Sequence, residues 1–149
     1  MKSKTLVIGV GNPFRGDDGI GSAIIKSLRA ENSQDFVLVD GGTDGLALLD
    51  QLAEYEKAII IDAVQMLEAP GVVKSFTPAE AKIKIKSDVL STHGFGLAEM
   101  LKLADELNIK TKITIIGIQP KNIDFGEGLS DEIKTQIPQI IKLIKQRDL

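Results

Sequence analysis

Short apolar runs and stretches of helical period take turns along the chain. Residues 5–10 (Thr-Leu-Val-Ile-Gly-Val) form the first apolar run and predict a strand. Ile20, Ala23, Ile24 and Leu28 then recur at helical spacing. Residues 36–39 (Phe-Val-Leu-Val) predict a second strand, ended by Asp40-Gly41-Gly42. A helix follows with Leu46, Leu49, Leu52 and Ala53 on one face. Ala58-Ile59-Ile60-Ile61 is apolar without interruption, as expected of a strand covered on both faces. Pro70-Gly71 marks a turn, and Val72 to Phe76 predicts an edge strand. From Ala81 to Ser87 two signals conflict. Thr77-Pro78-Ala79-Glu80 has the form of a helix capping box, whereas Lys82-Ile83-Lys84-Ile85-Lys86 alternates with period two, so the stretch takes no assignment. After His93, Leu97, Met100, Leu101, Ala104 and Leu107 share a helical face, and residues 112–118 predict the last strand. Ser130 is placed to cap a final helix with Asp131 and Glu132 in its first turn and a stripe of Ile133, Ile137, Ile140, Ile141 and Ile144. Pro138 within it predicts a kink, since an interior proline costs about 3 kcal/mol.

Strands alternating with helices imply an α/β fold with a parallel sheet covered on both faces. The 149 residues, without repeat, low-complexity tract or linker, suit one domain. Apolar residues are 43% and charged residues 26%, and the net charge is −3. With no basic excess, nothing favours nucleic acid as a partner. The absence of cysteine excludes disulfides, a thiolate zinc site and a cysteine nucleophile. The opening MKSKTLVIGVGNP loosely imitates a signal peptide, but its apolar run is too short and reads better as a strand. No stretch reaches the roughly 20 apolar residues of a membrane span, so no membrane insertion is expected.

In sheets of this kind ligands bind beyond the carboxyl ends of the strands. The unusual polar residues fall there. Asp17 and Asp18 follow the first strand, Asp40 ends the second, Asp62 ends the third and Gln119 follows the last. His93 stands just before a helix, beside Gly94-Phe95-Gly96. Dinucleotide binding is disfavoured, because Gly9-Val10-Gly11-Asn12-Pro13-Phe14 lacks the third glycine and two carboxylates would repel a pyrophosphate. No Gly-Lys-Ser/Thr marks a P-loop. A serine triad would need His93, the single histidine, yet no nucleophile elbow is present. A receiver-like signalling domain with an acidic pocket for a divalent metal is the alternative reading. It too pairs acids after strand one with an aspartate after strand three, but expects a lysine where Gln119-Pro120 stands. A metal site is the fourth reading: one imidazole and two carboxylates, Asp18, Asp62 and His93, suit nickel, cobalt, manganese or zinc without choosing among them. Plainer roles exist for each residue. His93 could cap a helix or sit at the surface, and Asp40 is a natural turn residue. Of the two neighbouring aspartates, Asp17 is assigned to capping or exposure and Asp18 to the ligand role. Asp62 is hardest to dismiss, since a charge after three isoleucines is costly unless used or paired.

GVGNPFRGDDGIG at 9–21, DGGT at 40–43, IIDA at 60–63, STHGFGL at 91–97 and GIQP at 117–120 occur in order over most of the chain. Together they resemble the hydrogenase maturation proteases. The resemblance implies a twisted, mostly parallel sheet of about five strands between helix layers, with the weak strand at 72–76 antiparallel at one edge. It implies a cytoplasmic endopeptidase that removes the C-terminal tail from the precursor of a nickel–iron hydrogenase large subunit after nickel insertion. Asp18, Asp62 and His93 match the catalytic and metal-binding positions of that family. The turn Asp40-Gly41-Gly42-Thr43, with Asn12, matches its substrate-contacting region. Nickel would arrive in the substrate, and another divalent metal could occupy the same site. Family members carry aspartate or glutamate at the first position, and this chain has the shorter arm. Under the resemblance, Gly11 and Gly16 keep the approach to Asp18 free of side chains. Attack by a metal-activated water, a metal-polarised carbonyl, and general-base catalysis by Asp18 or Asp62 all remain open at the level of sequence.

Overall fold

The computed structural model describes residues 1–42, 45–84, 97–126 and 128–146. In chain order these form β1 (Lys2–Val10), a 3-10 turn (Gly16–Gly19), α1 (Ile20–Glu31), β2 (Phe36–Gly42), α2 (Gly45–Leu52) and β3 (Tyr55–Ala63). There follow β4 (Val73–Phe76), α3 (Pro78–Lys84), α4 (Leu97–Glu106), β5 (Lys112–Ile118), α5 (Asp131–Lys134) and α6 (Ile137–Gln146). The five strands make one sheet in the order β2-β1-β3-β5-β4. Every pairing is parallel except β4 with β5, which is antiparallel, so the short edge strand behaves as expected.

The period-two alternation of the strands divides the interior into two clusters. Leu6, Ile8, Ala58, Ile60, Ile113 and Ile115 face α2, α3 and α4, where Leu48, Leu52, Ala81, Met100 and Leu101 complete one cluster. Val7, Ile59, Ile61, Ile116 and Ile118 face α1, α5 and α6, where Ile24, Leu28, Ile133, Ile140 and Ile144 complete the other. The result is the expected three-layer α/β/α arrangement. Helix α1 approaches β1 closely, because both contact points are glycines. A Cβ on Gly9 would run into the carbonyl of Gly21, and one on Gly21 would lie 2.5 Å from the Val10 oxygen.

Several local expectations change. The buried stripe of α2 is Leu48, Leu49 and Leu52, with Leu46 exposed and Ala53 beyond the helix end and exposed. Leu107 likewise lies past α4 and is exposed. The predicted kink at Pro138 is a full break: α5 ends at Lys134 and α6 begins at Ile137, which puts the proline in a first turn, where its missing N–H has no intrahelical partner to lose. Up to Lys84 the conflict after Thr77 is decided by the capping box, and residues 85–87 lie outside the described residues. The Thr77 amide donates to Glu80 Oε1 at 2.9 Å, the Glu80 amide donates to Thr77 Oγ1 at 3.2 Å, and α3 runs through Lys84.

Candidate active site

The chain leaves β1 through α1 toward β2, on one side of the sheet. It leaves β3 toward β4 and β5, on the other side. The order therefore reverses between β1 and β3, and a crevice opens at the carboxyl ends of such a strand pair. Asp18 follows β1 and Asp62 is the penultimate residue of β3. The two aspartates singled out by sequence thus flank the same switch point.

Burial pushes the Asp62 carboxyl well above the ordinary carboxylate range, the negative charge of Asp18 pushes it further, and a hydrogen bond from the Ala63 amide only partly opposes them. Register explains the burial. Asp62 pairs with Gly117 in β5, one step beyond the Ile61–Ile116 pair. Asp18 thus follows β1 and Asp62 lies at the end of the adjacent parallel strand β3, and the charge of Asp18 acts on Asp62.

Asp18 is held by its own loop. Its Oδ2 accepts the Asn12 amide at 2.8 Å, while the Asn12 side-chain oxygen accepts the Phe14 amide at 2.9 Å. Gly11, at φ +118°, lets the turn close directly over Asp18; a Cβ there would run into the Asp18 carbonyl oxygen. Gly16, at φ +53°, serves a different contact from the one expected, since it packs on the Asn122 carbonyl.

Asp17 corrects its assignment. It neither caps α1 nor faces solvent; it is 1% exposed, and the first residues of α1 carry no side-chain cap. Its Oδ2 accepts the amides of Lys121 and Asn122, both at 2.9 Å, and the Ser130 hydroxyl at 2.8 Å. Its Oδ1 accepts the Ser130 amide at 2.7 Å. Burial raises the Asp17 pKa, but these bonds outweigh it and leave the carboxyl below its ordinary value. Ser130 does stand at the N-cap of α5, yet its hydroxyl is given to Asp17 and makes no capping bond. Nothing local in the sequence marks this clasp, because the partners lie more than a hundred residues apart.

The remaining expected site residues have mixed placements. Asp40 accepts a hydrogen bond from Ser22 Oγ at 2.9 Å at the end of β2. Gly41 is the extra residue of a bulge, since Gly9 pairs with Asp40 and Val10 with Gly42. The Gly42 carbonyl accepts the Gly11 amide at 2.8 Å, tying the bulge to the Asp18 loop. Thr43 and His93 lie outside the described residues. Gln119 braces the chain leaving β3: its Oε1 accepts the amides of Met66 and Glu68, and its Nε2 donates to Gln65 Oε1 at 2.8 Å.

A family model described as hydrogenase maturation protease matches residues 23–147. The chain belongs to the hydrogenase maturation protease family. That family is one of peptide hydrolases. Among its relatives, a hydrogenase expression/formation protein, HupD of Thiocapsa roseopersicina, is 32% identical over 93% of this chain; the chain spans 64% of that relative's length. The fold is similar to the [NiFe] hydrogenase maturation protease HybD of Thermococcus kodakarensis, with a TM-score of 0.80, 30% identity, and coverage of 96% of this chain and 97% of that one. The hydrogenase maturating endopeptidase HybD of E. coli also superposes with a TM-score of 0.80, at 27% identity over 97% of this chain and 94% of that one. Within this family frame nothing supports the receiver-like alternative, and the position where a receiver holds its lysine is filled by the bracing Gln119. No helix among the described residues is long and apolar enough to cross a membrane.

Proposed function

We propose that this chain is the endopeptidase that removes the C-terminal tail of a nickel–iron hydrogenase large-subunit precursor once nickel has been inserted. The observation that carries the reading is the placement of Asp18 and Asp62 at the carboxyl ends of adjacent parallel strands, at the switch point of the family's fold. Burial and the charge of Asp18 raise the Asp62 pKa, which favours different acid and base roles for the two carboxyls. The protonated arm can donate to a peptide carbonyl or leaving amine, and the ionised arm can accept a proton from an attacking water. The same carboxylate oxygens would suit a divalent cation.

In this reading nickel is part of the substrate. Asp18 and Asp62, joined by His93 as the resemblance implies, contact it when the precursor docks; another divalent ion is able to fill the same donors. Asp40, Gly41, Gly42, Thr43 and Asn12 belong to the substrate-contacting set, as the resemblance implies. The cytoplasm is the compartment this reading assigns. The test compares nickel-loaded and nickel-free precursor at equal concentration, with a chelator capturing free ions and tail loss followed by intact mass. Processing of the loaded form alone is expected. Equal tail removal from both forms would show that nickel does not license the cut.

A further inference from the structure

Six large apolar side chains stand exposed among the described residues: Met1, Phe14, Leu46, Leu67, Leu107 and Phe125. Phe14, Leu46, Leu67 and Phe125 lie on segments that leave the carboxyl ends of β1, β2, β3 and β5, around the crevice of Asp18 and Asp62. Met1 and Leu107 precede strands and belong to the opposite end. Single exposed apolar residues are ordinary, but four of the six on segments leaving the carboxyl ends of the strands mark that end of the sheet.

Phe14 and Phe125 are distinguished by how firmly their backbone is held. Arg15 and Gly126 form a parallel bridge, so the residues preceding each, Phe14 and Phe125, lie side by side on paired backbone. The Gly126 amide donates to the Phe14 carbonyl and the Gly16 amide to the Gly126 carbonyl, both at 2.8 Å. Arg15 Nε donates to the Ile123 carbonyl at 3.1 Å, and its guanidinium lies 4.8 Å from the centre of the Phe125 ring. Asp17 clamps the base of the same two segments. Phe14 is nonetheless 59% exposed and Phe125 80%. A stitched backbone carrying exposed aromatics is preorganised for contact, because little ordering entropy is left to lose on binding.

We propose that Phe14 and Phe125 form the docking platform for the stretch of precursor next to the bond that is cut. This rests on the processing reading above. The occupant is an apolar, non-acidic segment of that partner. Continuity with the site argues for it: Phe14 lies four residues from Asp18, whose amide donates to the Arg15 carbonyl at 3.1 Å. Charge argues the same way, since Asp18 and Asp40 at this end of the sheet would repel an acidic flank, while the Arg15 guanidinium of the platform is engaged by the Phe125 ring. It also argues against a second copy of this chain, which would bring two acidic crevices face to face. The platform sets affinity and register and leaves the chemistry to the carboxylates.

The test replaces both aromatics with serine (F14S/F125S) and, separately, with leucine, with L107S as a control for an exposed apolar residue at the far end. Nickel-loaded precursor is the probe, and binding is measured in parallel on a D62N background. The serine pair should raise the precursor concentration for half-maximal processing about tenfold or more and leave the saturating rate within about twofold. Leucine should restore most of the affinity, and L107S should match the wild type. Binding to the D62N protein should weaken by the same factor as half-saturation. Unchanged half-saturation in the serine pair, with wild-type protein processing normally, overturns the platform and leaves the protease reading standing. A lower saturating rate at unchanged half-saturation also overturns it. Failure of the wild type both to bind and to process the precursor overturns the two together.

Discussion

Asp17 accepts four hydrogen bonds while Asp18, one peptide bond away, is set against another carboxylate. The difference follows from which way each side chain leaves the 3-10 turn, and it separates their mutational signatures. D17A leaves three part-buried amides and a hydroxyl without their acceptor and should cost about 1–3 kcal/mol in denaturant unfolding. The Asp17 pKa is lower in the folded chain than its ordinary 3.8. Its contribution is therefore full above about pH 4 and lost as the pH falls through the folded value. D17N should flatten that acid limb in melts taken between about pH 2 and 6. D18N and D62N should each reduce precursor processing at least about a hundredfold. Asp62, in contrast to Asp17, has a raised pKa, so its ionisation opposes folding at neutral pH. Metal-free D62N should consequently melt at or above the wild-type temperature, and a clear drop would contradict the crowding described here.

Helix α1 and strand β1 meet through two glycines, and this contact sets the height at which the Asp18 turn sits over the sheet. G9A places a methyl against backbone that cannot move aside, so it should destabilise by about 1–3 kcal/mol and lower processing by tilting the turn. The capping box of α3 is a milder device. T77A should cost about 1 kcal/mol and leave processing intact, as measured by thermal melting and by precursor mass. The break between α5 and α6 has a positive role, since Ser130 at the start of α5 is the residue that reaches Asp17. One continuous helix from Ser130 would have carried the stripe of isoleucines, but two short helices let that stripe turn while Ser130 stays over the site.

Both apolar clusters share the same five strands, so the molecule should unfold as one unit. I24A on the α1 side and M100A on the α4 side should each cost about 2–5 kcal/mol and shift a single cooperative transition. Much of this architecture was legible in advance because apolar runs are strong local signals. Residues 112–118 were bounded as they stand in β5, and the clustering of Asp18, Asp40 and Asp62 needed only the order of elements. The α2 stripe was misread because Leu49 and Leu52 fit two overlapping faces, and docking on the sheet chose the one with Leu48. Asp17 was misread because its partners come from the far end of the chain, and spacing carries no trace of a contact over that distance. Gln119 was noticed for the lysine it replaces, whereas its bracing bonds to the chain after β3 depend on the way that chain folds back.

The clasp between Asp17 and residues 121–130 also bears on timing during synthesis. A ribosome has made everything up to β5 before the first of these partners exists, and Ser130 is later still. Until then the loop that carries Asp18 has its tie to β2 but lacks the Asp17 clasp, although both of the crevice's aspartates have long since emerged. A growing chain therefore carries both aspartates before the contacts that hold Asp17 exist. Competence comes late, with the closing of a ring between the two ends of the fold.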